Sequence, residues 1–444
     1  MTNAKLMATL PRDCCAGVAV FLVALPLCLG IAQASGVDAA AGLLAGAIGG
    51  VVVALLSGSR LSVSGPAAGL ITIVVQGLAD VGGFPAFLSA VFMAGAAQFC
   101  FGAFGFGRFA AYVPSAVIKG MLAAIGLLLI IKQVPVAIGA NAADGTALRF
   151  ETALGAISYS IVPCVIALLS FAILGAWDST WVRGKPLLRA IPAPLVVVLS
   201  GIAVATVLAL PSGQRVTLAP LDSWAALASV VTLPDFSALM KLEVWRLVGT
   251  LAIVASLESL LSLEAIEQMD PKRQRASQDR ELKAQGVGNM LAGMLGALPI
   301  TAVIVRSAAN LNAGAETRLS AFIHGLLIIV SLVLLTSVLN LIPLACLAAI
   351  LIATGAKLAK PSLWVAAAKS GASRFVPFLA TIVGVLATDL LVGVAIGLAC
   401  SAVPTLRSAF KQTFVVERHA GEFVLRLRRP RFAVLAGQLP VESR

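Results

Sequence analysis

Charge is scarce in this chain. Of its 444 residues only 12% are Asp, Glu, Lys or Arg, while 59% are hydrophobic. A soluble domain of this length needs a polar surface, and a mean hydropathy of +1.01 excludes one. Histidine is scarcer still: His324 and His419 are the only two, too few and too isolated for a catalytic metal centre. The seven cysteines (Cys14, Cys15, Cys28, Cys100, Cys164, Cys346 and Cys400) form no CxxC and fall mostly in apolar segments. They read as small core residues. No HExxH or GxSxG motif occurs, which argues against a membrane enzyme.

What the chain has is apolar runs. A bilayer core of about 30 Å takes roughly 20 apolar residues per helix, and fourteen candidate segments can be drawn, several short or interrupted. The predicted class is an all-α polytopic membrane protein. The first run, 14–33, is too long for a signal peptide and lacks a small-residue cleavage site. A net charge of +12 is then no sign of nucleic acid. With both termini cytoplasmic, 25 of the 32 Lys and Arg fall inside and five (Lys132, Arg149, Arg215, Lys241 and Arg246) outside, with Lys119 and Arg306 within segments. That is the positive-inside pattern, and it needs an even number of spans. It puts the linker 211–244 outside. Binding of the basic tail to anionic lipid is the secondary reading of the charge.

Two stretches organise the rest. In Leu298-Pro299-Ile300-Thr301-Ala302-Val303-Ile304-Val305-Arg306-Ser307, a helix breaker opens an apolar run that carries one arginine at membrane depth. Such an arginine is costly in lipid and faces a site or a water-filled cavity. A helix start there, with Arg306 about a turn and a half further in, reads as half of an anion site. Ser64-Gly65-Pro66-Ala67-Ala68-Gly69 opens a second apolar run, 70–75, too short to span. Ser64, Gly65, Ala67 and Ala68 would present backbone donors from its mouth; the plainer alternative is a tight packing corner. Thr301, with Ala302 and Val303, would present a hydroxyl and amides from the other mouth; a helix cap is the alternative for Thr301. Half-helices 3 and 10 would meet at the membrane midplane. Helix 2, 38–56, carries Ala41, Ala45 and Gly49 at a spacing that allows close packing.

Three landmarks repeat: Pro26 and Glu258 lie 232 residues apart, Pro66 and Pro299 233, and Pro114 and Pro343 229. Seven helices per copy is odd, so the second copy is expected to be inverted, which is a transporter pattern. Glu258 falls mid-helix in helix 8, 244–269, with Ser262 one turn on. An intramembrane carboxylate is a functional-site hypothesis; pairing with Arg306 is the structural alternative. Glu264, Glu267 and Asp270 are expected to be solvated. Gln33 would line the pathway or face water, His324 would be a packed, hydrogen-bonded core residue, and Asp389 would cap helix 14.

These residues resemble the SulP family of anion transporters, through Val63-Ser64-Gly65-Pro66, Asn310-Leu311-Asn312-Ala313-Gly314 after Arg306-Ser307, and Thr388-Asp389-Leu390-Leu391. The segment from Arg280 to Asn289 looks like the family's helix 8 to 9 loop. The resemblance implies 14 transmembrane segments as two inverted 7-helix repeats over 1–406. A core (about 13–106 and 245–340) would move against a gate (about 108–210 and 343–406). A small inorganic anion, bicarbonate or sulfate, would bind between the mouths of helices 3 and 10. Glu258, with Ser262 and Thr301, would serve the coupling cation, either Na+ held as a metal ion or H+. In the family, aspartate at this place goes with sodium and glutamate with protons. No other cofactor is expected. A homodimer in the plasma (inner) membrane, surrounded by lipid, is the expected assembly.

Two features depart from the family. Leu27 and Ile31 stand where members often carry a glutamine and an aromatic residue. Only 38 residues follow Leu406, against a STAS domain of about a hundred; Glu422–Leu427 alternates like a strand and reads as the start of a truncated one. An exchanger, an uncoupled channel or motor, and a nucleobase permease of the same fold are the competing functions. Helix 10 carries Arg306 and no acid, which counts against the permease.

Overall fold

A computed structural model describes residues 3–108, 114–139, 161–179, 182, 185, 191–219, 231–272, 275–388, 390–411, 414–419 and 422–427. Arg149, Arg273 and Asp389 lie outside them, as does 220–230 of the linker. Among the described residues the principal helices are α1 Asn3–Ala34, α2 Ala39–Ile48, α3 Ile71–Val81, α4 Phe84–Ala103, α5 Ser115–Ala137, α6 Ile161–Trp177 and α7 Ala193–Val207. Then follow α8 Leu242–Met269, α9 Gln278–Leu295, α10 Ile304–Asn312, α11 Leu319–Leu334, α12 Leu344–Leu358, α13 Ala372–Ala387 and α14 Leu390–Lys411. Six helical stretches are long and apolar enough to cross a membrane, and six further apolar helices are shorter. A surface helix, Pro361–Lys369, was not anticipated.

The chain divides into two compact units: 1–107 with 126–357, and 108–125 with 358–444. The first holds every candidate site residue. In the second, α13 and α14 pack on each other, and β3 (Phe414–His419) pairs antiparallel with β4 (Glu422–Leu427).

In the first unit, α1 runs unbroken through Pro26. The Asp38 carboxylate caps α2 by accepting the Ala40 N–H at 2.7 Å. Beyond Ile48 the helix widens into a π turn, Gly49–Val53, before Ala54–Leu56. Such bulges mark places where something inserts into the ladder. Here Gly49 lies against the Ser64 carbonyl and Gly50 against Gly325 and the His324 ring. The close approaches of α2 are made by Gly42 on the Cys28 carbonyl, and by Gly46 and Gly50. They fall one position off Ala41 and Ala45 of the expected stripe, whose third member, Gly49, does make a close approach.

A helix expected over about 284–295 is present as α9 and starts earlier: the charged loop read at 270–283, and the loop-like resemblance at 280–289, give way to helix from Gln278. The helix is started by the Ser277 hydroxyl accepting the Arg280 N–H. α9 is polar for a core helix, yet it is packed along its length against α4. Glycines at sevenfold spacing on both sides allow it: Gly95 and Gly102 on α4 meet the backbone of Gly286, Met290 and Asp279, and Gly286 and Gly293 on α9 meet Phe99 and Phe92. α9 ends at Gly296, whose φ of 78° is a left-handed cap that favours glycine. At one rim Asp13 on α1 is fully buried. Its carboxylate accepts the N–H groups of Glu316 and Thr317 at 2.8 and 3.0 Å and the Thr317 hydroxyl at 2.6 Å.

Candidate functional site

Two three-residue strands cross at the centre of the larger unit. β1 (Ser64–Pro66) pairs antiparallel with β2 (Ile300–Ala302), with Ser64 opposite Ala302 and Gly65 opposite Thr301. Each strand feeds a helix N-terminus. Ala67 leads into the 3-10 turn Ala68–Leu70 and α3; Val303 leads into α10. Both cap residues are extended, and neither has a side-chain cap. The helical bonding that follows begins with Leu70 N–H to Ala67 O and Ser307 N–H to Val303 O. The first-turn amides of both helices, from Ala68 and from Ile304, therefore have no intrahelical partner and stand at the positive ends of two helix dipoles. Ala68 and the run Val303, Ile304, Val305 are partly exposed among buried neighbours. They form the accessible rim of the site.

The other expected residues lie deeper. Ala67 is 2% exposed and Thr301, Ala302 and Arg306 are 0% exposed. Arg306 is the third residue of α10 rather than a turn and a half in. Its guanidinium lies on the Gly65 face of the strands, where Nη2 donates to the Pro66 carbonyl at 3.3 Å and Nη1 lies against Gly65. Nε and Nη1 have no hydrogen-bond partner among the described residues. Thr301, opposite Gly65, shares that face, and its hydroxyl is likewise unpartnered. Ser64 points the other way: its hydroxyl accepts the Gln285 side-chain N–H at 2.7 Å. The site thus consists of backbone donors at the rim with a buried charge beneath them.

α8 packs against β2, the 3-10 turn and α10. The Ser259 hydroxyl accepts the Ala302 N–H at 3.3 Å, so the neighbouring Glu258 lies beside the strands. Glu258 is half-buried, and among the described residues its Oε2 has no partner and it forms no ion pair with Arg306. The structural alternative of a Glu258–Arg306 pair is therefore not what the structure shows. Ser262 is buried one turn on. Among the described residues no three His, Cys, Asp or Glu gather as a metal site.

Sequence reasoning missed the braces behind the strands. Asn289 on α9 grips Ile300 of β2 twice, accepting its N–H at 2.6 Å and donating to its carbonyl at 2.9 Å. It also donates to Gln98 on α4, which donates to Ser256 on α8. Glu281 accepts from the Ser57 hydroxyl and from Gln285 (2.9 Å), which holds Ser64. Glu281, Gln285 and Asn289 recur every four residues. That was the signal: a polar stripe on one helix face.

Elsewhere, Glu264 is exposed and Glu267 partly so, but Asp270 is buried and accepts the Lys272 N–H at 2.9 Å, capping a turn instead of facing water. His324 is fully buried and packed as expected, but among the described residues neither ring nitrogen has a hydrogen-bond partner. Gln33 is half-buried, and Leu27 and Ile31 are buried.

Residues 10–403 match the family model described as the sulfate permease family. A Bacillus subtilis relative, YvdB, is 26% identical over 438 residues, covering 97% of this chain and 80% of its own length. The bicarbonate transporter BicA of a Picosynechococcus strain is 24% identical over 417 residues, covering 91% of this chain and 72% of BicA. Among solved structures, the transmembrane domain of a cyanobacterial BicA superposes with a TM-score of 0.73 at 22% identity, covering 88% of this chain and 97% of that one. SLC26A9 superposes with a TM-score of 0.76 at 17% identity, over 93% and 67%. The fold is theirs, and the chain is an integral membrane protein that belongs to the sulfate permease (SulP) family.

Proposed function

We propose that the chain is a secondary active transporter of a small inorganic anion, with bicarbonate and sulfate the leading candidates. One observation carries the reading. Two helix N-termini stand at the ends of paired strands, and beneath them Arg306 is buried without an ionic partner among the described residues. A positive charge at the positive ends of two dipoles is unfavourable by itself. A bound anion supplies the missing countercharge, with amides of Ala68, Ile304 and Val305 in reach of its oxygens. Relatives named for bicarbonate and sulfate transport agree with this chemistry.

The coupling cation belongs at Glu258. Its unpartnered Oε2 and the unpartnered Thr301 hydroxyl are buried oxygens of the kind that suit sodium or a proton, and Ser262 adds a third. All α1–α14 would then cross or enter the membrane as two inverted sevens, with both termini cytoplasmic. The antiparallel pairing of β1 with β2 is what such a repeat would leave at its axis. The core (13–106 and 245–340) would carry the site past the gate (108–210 and 343–406) in an elevator movement, in a homodimer. Uptake of labelled bicarbonate and sulfate into proteoliposomes, with sodium and proton gradients imposed separately, tests the reading. Gradient-driven accumulation of either anion is expected; accumulation of neither under any gradient would end it.

A further inference from the structure

Three arginines gather at the end of the α2 segment. Arg60 comes from the connection to β1, Arg280 from the first turn of α9 and Arg318 from the N-cap of α11. Arg280 Nε donates to the Leu56 carbonyl at 2.9 Å and Arg318 Nη1 to the Leu55 carbonyl at 3.4 Å. These are the last carbonyls of Ala54–Leu56, where a helix dipole is negative. Each bond uses one of the five N–H groups of a guanidinium, so most of the donors remain. Among the described residues none of the three arginines is ion-paired. The neighbouring acid, Glu281, is 0% exposed and already accepts from Ser57 and Gln285. The positive charges act on one another: Arg318 is held below the ordinary arginine value by burial first, then by Arg280, with Arg60 adding and Glu281 opposing.

The apolar surroundings say where this cluster sits. The side chains of Leu55 and Leu56 are 56% and 42% exposed, although their carbonyls are the ones the arginines hold. In a membrane protein, exposed leucines at a helix end face acyl chains, and arginines beside them stand at headgroup depth.

We propose that Arg60, Arg280 and Arg318 form a binding site for the phosphate of an anionic phospholipid, with its acyl chains along Leu55 and Leu56. The phosphodiester accepts bidentate hydrogen bonds from guanidinium forks. A soluble phosphate would satisfy the same donors but leave the two leucines bare, which favours the lipid as the source. The lipid would tie the end of α2, the start of α9 and the start of α11 together. The site is separate from the anion site and stands whether or not the transport reading holds.

The test is native mass spectrometry of the purified full chain, titrated with phosphatidylglycerol or phosphatidylcholine. Wild type should retain phosphatidylglycerol in preference. Arg60→Gln is the cleanest variant, since Arg60 makes no hydrogen bond among the described residues, and it should weaken that retention about fivefold without changing phosphatidylcholine. Arg318→Gln, checked for folding by thermal melting, should do the same. Equal retention of the two lipids by wild type, or undiminished phosphatidylglycerol binding in both variants, overturns the proposal. Displacement of phosphatidylglycerol by millimolar inorganic phosphate would assign the arginines to a soluble anion and overturn the lipid source.

Discussion

Arg306 and Gly65 share one volume: Nη1 of the arginine occupies the place that a Cβ on Gly65 would need. The glycine is thus the seat of the buried charge, and the charge is fixed by a residue 241 positions away in the chain. Gly65→Ala should push the guanidinium aside or open the strand pair, at about 1–3 kcal/mol of overpacking. The folded fraction of that variant should bind the transported anion more weakly than wild type. Unchanged affinity in a folded Gly65→Ala protein would show that the position of Arg306 is immaterial.

Arg306→Ala removes the charge itself. A unit charge several ångströms from an anion, at an effective dielectric of about 20, is worth about 2 kcal/mol. Anion binding should weaken by roughly 30-fold, read by calorimetry on purified protein. Arg306→Lys should recover part of it, because a lysine restores charge without the fork that reaches Pro66.

Glu258→Gln separates coupling from binding. It keeps the volume of the side chain and removes its charge, while leaving the amides of Ala68, Ile304 and Val305 untouched. Gradient-driven uptake in proteoliposomes should fall to the passive level, with exchange of internal for external anion preserved. Full concentrative uptake by this variant would make the protein an exchanger or uniporter.

Asn289→Ala should be the most damaging of these substitutions to stability. It leaves the N–H and C=O of Ile300 unpaired in the core, at about 1–3 kcal/mol each, and frees Gln98. A fall in the melting temperature together with weakened anion affinity is expected. Asn289→Asp should rescue only the bond from Ile300 N–H, since a carboxylate cannot donate to the carbonyl.

Topology follows from the charge split. In a chain cleared of its native cysteines, a cysteine placed at the exposed Ser212 should react with an impermeant maleimide on intact cells. One placed at the exposed Ser370 should react only after permeabilisation. The reverse pattern would exclude cytoplasmic termini.

The two mouths were legible because a proline before an apolar run is a loud signal, and Pro66 and Pro299 both precede one. The burial of Arg306 was legible for the same reason, a lone charge in an apolar stretch. Its direction was not, since nothing in the local pattern says which face of a three-residue strand it lies against. Strands that short have no period to read, so the pairing of Gly65 with Thr301 is visible only in three dimensions. The charged stretch 270–283 misled at its end: it looks like a loop to 283, yet helix begins at Gln278, and Glu281, Gln285 and Asn289 turn inward because the glycines of α4 and α9 bring two backbones together.

The ladder between β1 and β2 has a mechanical consequence. Hydrogen bonds staple the two helix mouths into a single jaw of fixed gape, so any motion that respects the ladder must carry both halves together. Selection among anions would then rest on the size of that gape, and the jaw would grip its cargo equally well whichever face of the membrane it opens to.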